Sequence, residues 1–250
     1  MNSKINNNIF EGVTWVWFDL DDTVIDFHAN SRAALAALFD RQELISSMFV
    51  SEDEWAQRYM SHNLSLWERY TRGEITQEFL RIDRFATPLA PHWKGSRDDL
   101  TAYARSLDSL YLDILADGSA MIDGARELIE AVRRSGRHTG ILSNGFHDVQ
   151  HRKLRRNNLT HLIDRVVLSD DIGVNKPDIR IYTHAMAEAG ETLPHRHLMI
   201  GDNPATDIAG ALGAGWKAIL LNSSGTLYAP DHALTVGSLR HLLSYFDNPL

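Results

Sequence analysis

The chain has 250 residues, 44% hydrophobic and 23% charged, proportions of a folded globular protein with room for a large α/β domain and a smaller insertion. Its formal charge of −8 offers no general attraction to a nucleic-acid polymer, and no window of 18 or so apolar residues predicts a membrane span. Cysteine is absent, which excludes disulfides, thiolate nucleophiles and Cys-ligated zinc.

The first dozen residues, MNSKINNNIFEG, are rich in Asn and lack the apolar stretch and cleavage site of a secretory signal, so a cytoplasmic location is expected. Val13 to Leu20 is a nearly continuous apolar run ended by acidic residues, the pattern of a buried strand in a parallel sheet. From His28 to Ala116 no strand pattern recurs. Amphipathic stretches such as SRAALAALF and EDEWAQRYM predict helices there, with Trp55, Trp67 and Trp93 read as packing residues of a small bundle.

Strand patterns return at Thr139–Leu142, Arg165–Leu168, His197–Ile200 and Trp216–Leu221. They alternate with helical patterns at Ala125–Arg134, Val149–Asn157, Ile179–Ala189 and Ala205–Leu212, which implies βαβ units. The expected fold is α/β, a Rossmann-like parallel sheet flanked by helices and built from residues 1–27 and 117–250. A helical insertion of residues 28–116 follows the first strand.

Ligands of an open parallel sheet bind beyond the carboxyl ends of its strands. The first run ends in Asp19-Leu20-Asp21-Asp22-Thr23, the second in Ser143-Asn144-Gly145 and the fourth in Gly201-Asp202-Asn203, with Asp207 five residues beyond Asp202 and Lys176 in an intervening loop. Singly, each reads as a helix cap or a loop residue. Together they put carboxylates, a hydroxyl, backbone amides and an ammonium at one sheet edge, a site for a divalent cation and a phosphate.

Asp19 is placed to attack phosphorus and form an aspartyl phosphate. Mg²⁺ would share its charge between that carboxylate and a monoester dianion, with Asp202 as a further ligand. Asp21 is the candidate acid and base, giving a proton to the leaving oxygen and later taking one from water. Ser143, the amides of the Asn144-Gly145 turn and Lys176 are candidate phosphate binders. Asp207 either joins the metal site, orients a metal-bound water or Lys176, or caps a helix. His147 and His151, four apart, read as a solvated helix face, and His195 and His197 as loop residues.

The pattern Asp19-x-Asp21-x-Thr23, Ser143, Lys176 and Gly201-Asp202-(x)4-Asp207 resembles the four motifs of the haloacid dehalogenase superfamily, from the first strand to about Leu221. The resemblance implies Asp19 as nucleophile and metal ligand, Asp21 as acid/base and ligand through its carbonyl, Ser143 and Lys176 on phosphate, and Asp202 and Asp207 completing the Mg²⁺ site. It also implies that the helical insertion is a small cap.

The strings FDLDDTVIDF, SNGF, GVNKPD and GDNPATDIAGALGAG are similar to the house-cleaning pyrimidine 5′-nucleotidases of that superfamily. The expected activity is therefore Mg²⁺-dependent hydrolysis of a small phosphate monoester, a pyrimidine nucleoside 5′-monophosphate. Phosphoglycolate or a sugar phosphate is the alternative substrate, and metal-independent 2-haloacid dehalogenation the alternative chemistry.

Overall fold

The computed structural model describes residues 7–246. Part of the Asn-rich start that bears on the secretory-signal reading, Met1–Asn6, lies outside them. Among the described residues no helix is long and apolar enough to cross a membrane.

Six strands, β1 (Trp15–Phe18), β2 (His138–Ser143), β3 (Arg165–Leu168), β4 (His197–Gly201), β5 (Lys217–Leu221) and β6 (Leu234–Val236), form one sheet in the order β3-β2-β1-β4-β5-β6. Every neighbouring pair is parallel. The chain builds outward from β1 on one side and then crosses to β4 on the other, so β1 and β4 flank the point where the order reverses.

All four residues of β1 are buried, as a strand covered on both faces requires. Its alternate side chains enter two cores. Val16 and Phe18 pack with Ile141, Leu198, Ile200 and Leu128, and Trp15 and Trp17 pack with Leu142, Met199, Tyr182 and Ala211. Trp17 faces Gly140 across the β1–β2 ladder, and any β-carbon at that position would strike its indole.

The chain divides into two compact units, the described residues up to Phe27 with those from Ser119, and His28–Gly118. In the first unit the sheet is flanked by α6 (Ala125–Arg134), α7 (His147–Arg156), the single turn α8 (Ser169–Ile172), α9 (Ile179–Ala189) and α10 (Ala209–Gly213). The second carries α1 (Phe27–Arg41), which begins on the last residue of the first, then α2 (Glu43–Met48), α3 (Glu52–Thr71), α4 (Gln77–Leu89) and α5 (Arg97–Ala116).

Ser51, Thr76 and Ser96 cap α3, α4 and α5 through their side chains, each accepting from an amide of the first turn. Trp55, Tyr59, Phe85 and Tyr111 meet in the middle of this unit, with ring centroids 4.9 to 6.2 Å apart. Arg84 is buried beside them, paired with Asp108 and lying over the Tyr111 ring. Of the three tryptophans read as packing residues, Trp55 is fully buried, whereas Trp67 and Trp93 are half-buried.

Three elements differ from the sequence reading. β6 is too short, at three residues, to show a strand period. The helix expected over Ala205–Leu212 is a widened turn, Pro204–Ile208, followed by α10. There the Asn203 side chain accepts from the Ala205 and Thr206 amides while Asp207 Oδ2 accepts from the Asn203 amide, which turns the acidic side chain back toward the end of β4.

The third difference is His197, which heads the expected strand but was read as a loop residue, and which is fully buried at the start of β4. Trp17 Nε1 donates to its Nδ1 at 3.0 Å, so Nε2 carries the proton and donates to the Glu191 carbonyl at 2.9 Å. Burial holds this imidazole below its ordinary range, against the pull of Glu191. Because the unfolded chain then binds the proton more readily, the stability His197 contributes is present above pH ~6.5 and is lost as pH falls below it. The stability advantage of the wild type over His197→Gln is therefore expected to shrink between pH 7 and 5 in urea titrations. An advantage that grows on acidification would contradict the neutral tautomer.

Candidate active site

Ends of β1, β2 and β4 and the loop after α8 converge at the carboxyl edge of the sheet. Asp19 follows β1 directly and is 8% exposed, Lys176 is 2% exposed and Asp207 1%. Asp202 follows β4 and is partly buried. One carboxylate oxygen from each of Asp19, Asp202 and Asp207 lies within 4.8 Å of the other two. Gly201, which ends β4, lets Asp207 approach this closely, since a β-carbon there would collide with its carboxylate.

Lys176 Nζ donates to Asp19 Oδ1 and Asp207 Oδ1 at 2.6 Å each and to the Leu142 carbonyl at 2.8 Å. Its three protons are thus all engaged, and a phosphoryl oxygen would have to displace one partner to be bonded directly. Burial works against the ammonium, but Asp19 and Asp207 hold its pKa above the ordinary lysine range. Asp19 is pushed well up, first by its burial and then by Asp207 and Asp202, with Lys176 opposing. Burial, Asp207 and Asp22 push the Asp202 carboxyl up to about 7, against the hydrogen bond from Thr23 and the charge of Lys176. Three carboxylates crowd one ammonium, so the cluster lacks positive charge, and its hard oxygen donors fit a divalent cation.

Ser143 ends β2, 2% exposed. Its Oγ accepts from the Gly145 amide at 3.2 Å and from Gln150 Nε2 at 2.8 Å, which occupies both lone pairs and leaves the hydroxyl proton to donate. The side chain of Asn144 clamps the main chain of Lys176, accepting from its amide at 2.7 Å and donating to its carbonyl at 3.1 Å. Asp21 is partly buried, and Lys153 Nζ and Gln150 Nε2 donate to its two oxygens at 2.5 and 2.9 Å.

The structure therefore draws Asp19, Asp202, Asp207 and Lys176 into one cluster, ties Asn144 to Lys176, and joins Asp21 to Ser143 through Gln150. Sequence reading missed the side-chain parts of Thr23, Gln150 and Lys153. Thr23 is fully buried and donates to Asp202 Oδ1 at 3.1 Å. For the other two a signal existed: the inward face of α7 reads Gln150, Lys153 and Leu154, with polar residues where an amphipathic helix carries apolar ones. His147 and His151 lie on the open side of α7, with His147 Nδ1 paired to Asp171 at 2.6 Å.

The acidic cluster around buried Lys176, with a hydroxyl at the next strand end, lies at the reversal point of an open parallel sheet, where α/β proteins bind their ligands. The chain belongs to the haloacid dehalogenase-like hydrolases, a family that matches residues 13–215. It is 32% identical over 209 residues to the pyrimidine 5′-nucleotidase YjjG of Escherichia coli, covering 84% of this chain and 86% of that one.

The (S)-2-haloacid dehalogenase 4A of Burkholderia cepacia is 26% identical, over 83% of this chain and 82% of its own. Among solved structures, the hydrolase YfnB of Bacillus subtilis, bound to magnesium, superposes with a TM-score of 0.81 at 26% identity, covering 94% of this chain and 99% of that one.

Proposed function

We propose that this protein is a Mg²⁺-dependent phosphomonoesterase that works through an aspartyl phosphate on Asp19 and takes pyrimidine nucleoside 5′-monophosphates. The observation that carries the reading is the shortage of positive charge among Asp19, Asp202 and Asp207. The likeness to YjjG supports the nucleotide substrate, and the magnesium-bound YfnB structure supports the metal.

In this reading Asp19, Asp202 and Asp207 hold Mg²⁺, together with the Asp21 carbonyl. When bound, the ion lets a phosphate dianion approach a carboxylate by neutralising charge between them. Asp19 attacks phosphorus as the ester P–O bond breaks, and Asp21 protonates the departing oxygen. Asp21 next accepts a proton from water as that water attacks phosphorus and the Asp19–P bond breaks. Ser143 donates to a phosphoryl oxygen, and Lys176 holds Asp19 in line while screening it from Asp207.

The helical unit takes the part of the cap, and its residues select the leaving group. Dehalogenation of an anionic 2-haloacid is disfavoured by the same acidic cluster, which repels a carboxylate substrate.

Phosphate release from UMP, dUMP, dTMP, AMP, phosphoglycolate and sugar phosphates, each with Mg²⁺ or EDTA, tests the reading. Pyrimidine monophosphates are expected to be preferred, with a loss on the order of a hundredfold or more in EDTA. Preference for a small acid or sugar phosphate removes the nucleotidase assignment and keeps the chemistry. Release that EDTA does not touch removes the metal.

A further inference from the structure

Helix α7 leaves the candidate phosphate loop with Gln150 and Lys153 turned inward, at 0% and 2% exposure. A lysine stem normally carries its ammonium out to water, and a desolvated ammonium persists where a fixed partner holds it. The one carboxylate paired with Lys153 among the described residues is Asp21, with Nζ 2.5 Å from Oδ1. The Phe27 ring lies beside the same ammonium, its centroid 5.5 Å away. Gln150, one helical turn earlier, uses a single amide nitrogen to bridge Asp21 Oδ2 and Ser143 Oγ at 2.9 and 2.8 Å. Gly145 makes room for this bridge, since a β-carbon there would collide with the Gln150 amide.

We infer that Lys153 and Gln150 are positioning residues of the hydrolytic reaction, which fix the Asp21 carboxyl group relative to Ser143. The inference rests on the proposed reading of Asp21 as acid and base. Aspartate on a loop samples several side-chain rotamers, and proton transfer needs one of them. Each carboxylate oxygen offers two lone-pair directions. Helix α7 takes one on each oxygen and leaves one on each for the leaving oxygen and then for water. The group that moves the proton and the hydroxyl that holds the phosphate are thereby kept in register by one amide.

The test compares wild type with Lys153→Met, of similar length and without a donor, on two esters. UMP departs as an alkoxide that needs a proton, whereas p-nitrophenyl phosphate departs as a phenolate that does not. For the variant, kcat on UMP is expected to fall on the order of a hundredfold with KM little changed, while the pre-steady-state burst of p-nitrophenolate falls less than about tenfold.

Equal losses on both esters, or no loss on UMP, overturn the inference and leave an ion pair that merely ties α7 to the β1 loop. Should Lys153→Met fail to fold, Gln150→Met carries the same comparison with the same outcomes. A wild type that releases phosphate from neither ester, or an Asp19→Asn protein with normal turnover, sinks the phosphatase reading and this inference with it.

Discussion

Asp19→Asn is expected to lower phosphate release by ~10⁴-fold or more, because the amide is too poor a nucleophile to form the acyl phosphate. The fold should not suffer. Asp19 is buried, and its burial together with Asp207 and Asp202 raises its pKa, so the ionised form costs stability at neutral pH. A neutral Asn removes one of three crowded negative charges and leaves Lys176 its bonds to Asp207 and Leu142. In metal-free buffer the variant should therefore melt at or above the wild-type temperature, by ~2–4 °C for about 1 kcal/mol. A variant with normal turnover would take Asp19 out of the mechanism. Melting several degrees lower would show that the Asp19–Lys176 pair outweighs the repulsion around it.

The largest loss of stability is expected from Lys176→Met. The ammonium stands 2.6 Å from both Asp19 and Asp207, and all three groups are nearly inaccessible to water. Removing it leaves two buried carboxylates without their cation, which costs about 3–5 kcal/mol. For a chain of this size the melting temperature should fall by roughly 6–20 °C. Turnover should be lost as well.

A divalent cation offers a second signature, independent of catalysis. Since the variant lacks more positive charge than the wild type, millimolar Mg²⁺ should raise its melting temperature by the larger increment. An equal increment in both proteins would place the cation away from this cluster.

Much of this architecture was legible because the signals are local. A strand segment buried on both faces must be apolar, so Trp15–Phe18 and residues 218–221 announce themselves in any window that contains them. The chain must also leave a parallel strand at its carboxyl end, so Asp19, Ser143 and Asp202 could be assigned to one edge before any contact was known. In the same way, the absence of a two-residue period from residue 28 onward marked a helical stretch, and five helices lie there.

Tertiary structure decided what polar groups do once buried. Lys153 and Asp21 are 132 positions apart, and Trp17 and His197 are 180 apart. No periodicity in either segment encodes the partner, because a buried donor or charge is satisfied by whatever the fold brings to it. His197 therefore read as a loop residue, and nothing in the sequence tied Lys153 to Asp21. Apolar residues report the face they occupy through their spacing, whereas a polar residue reports nothing until its partner is in place.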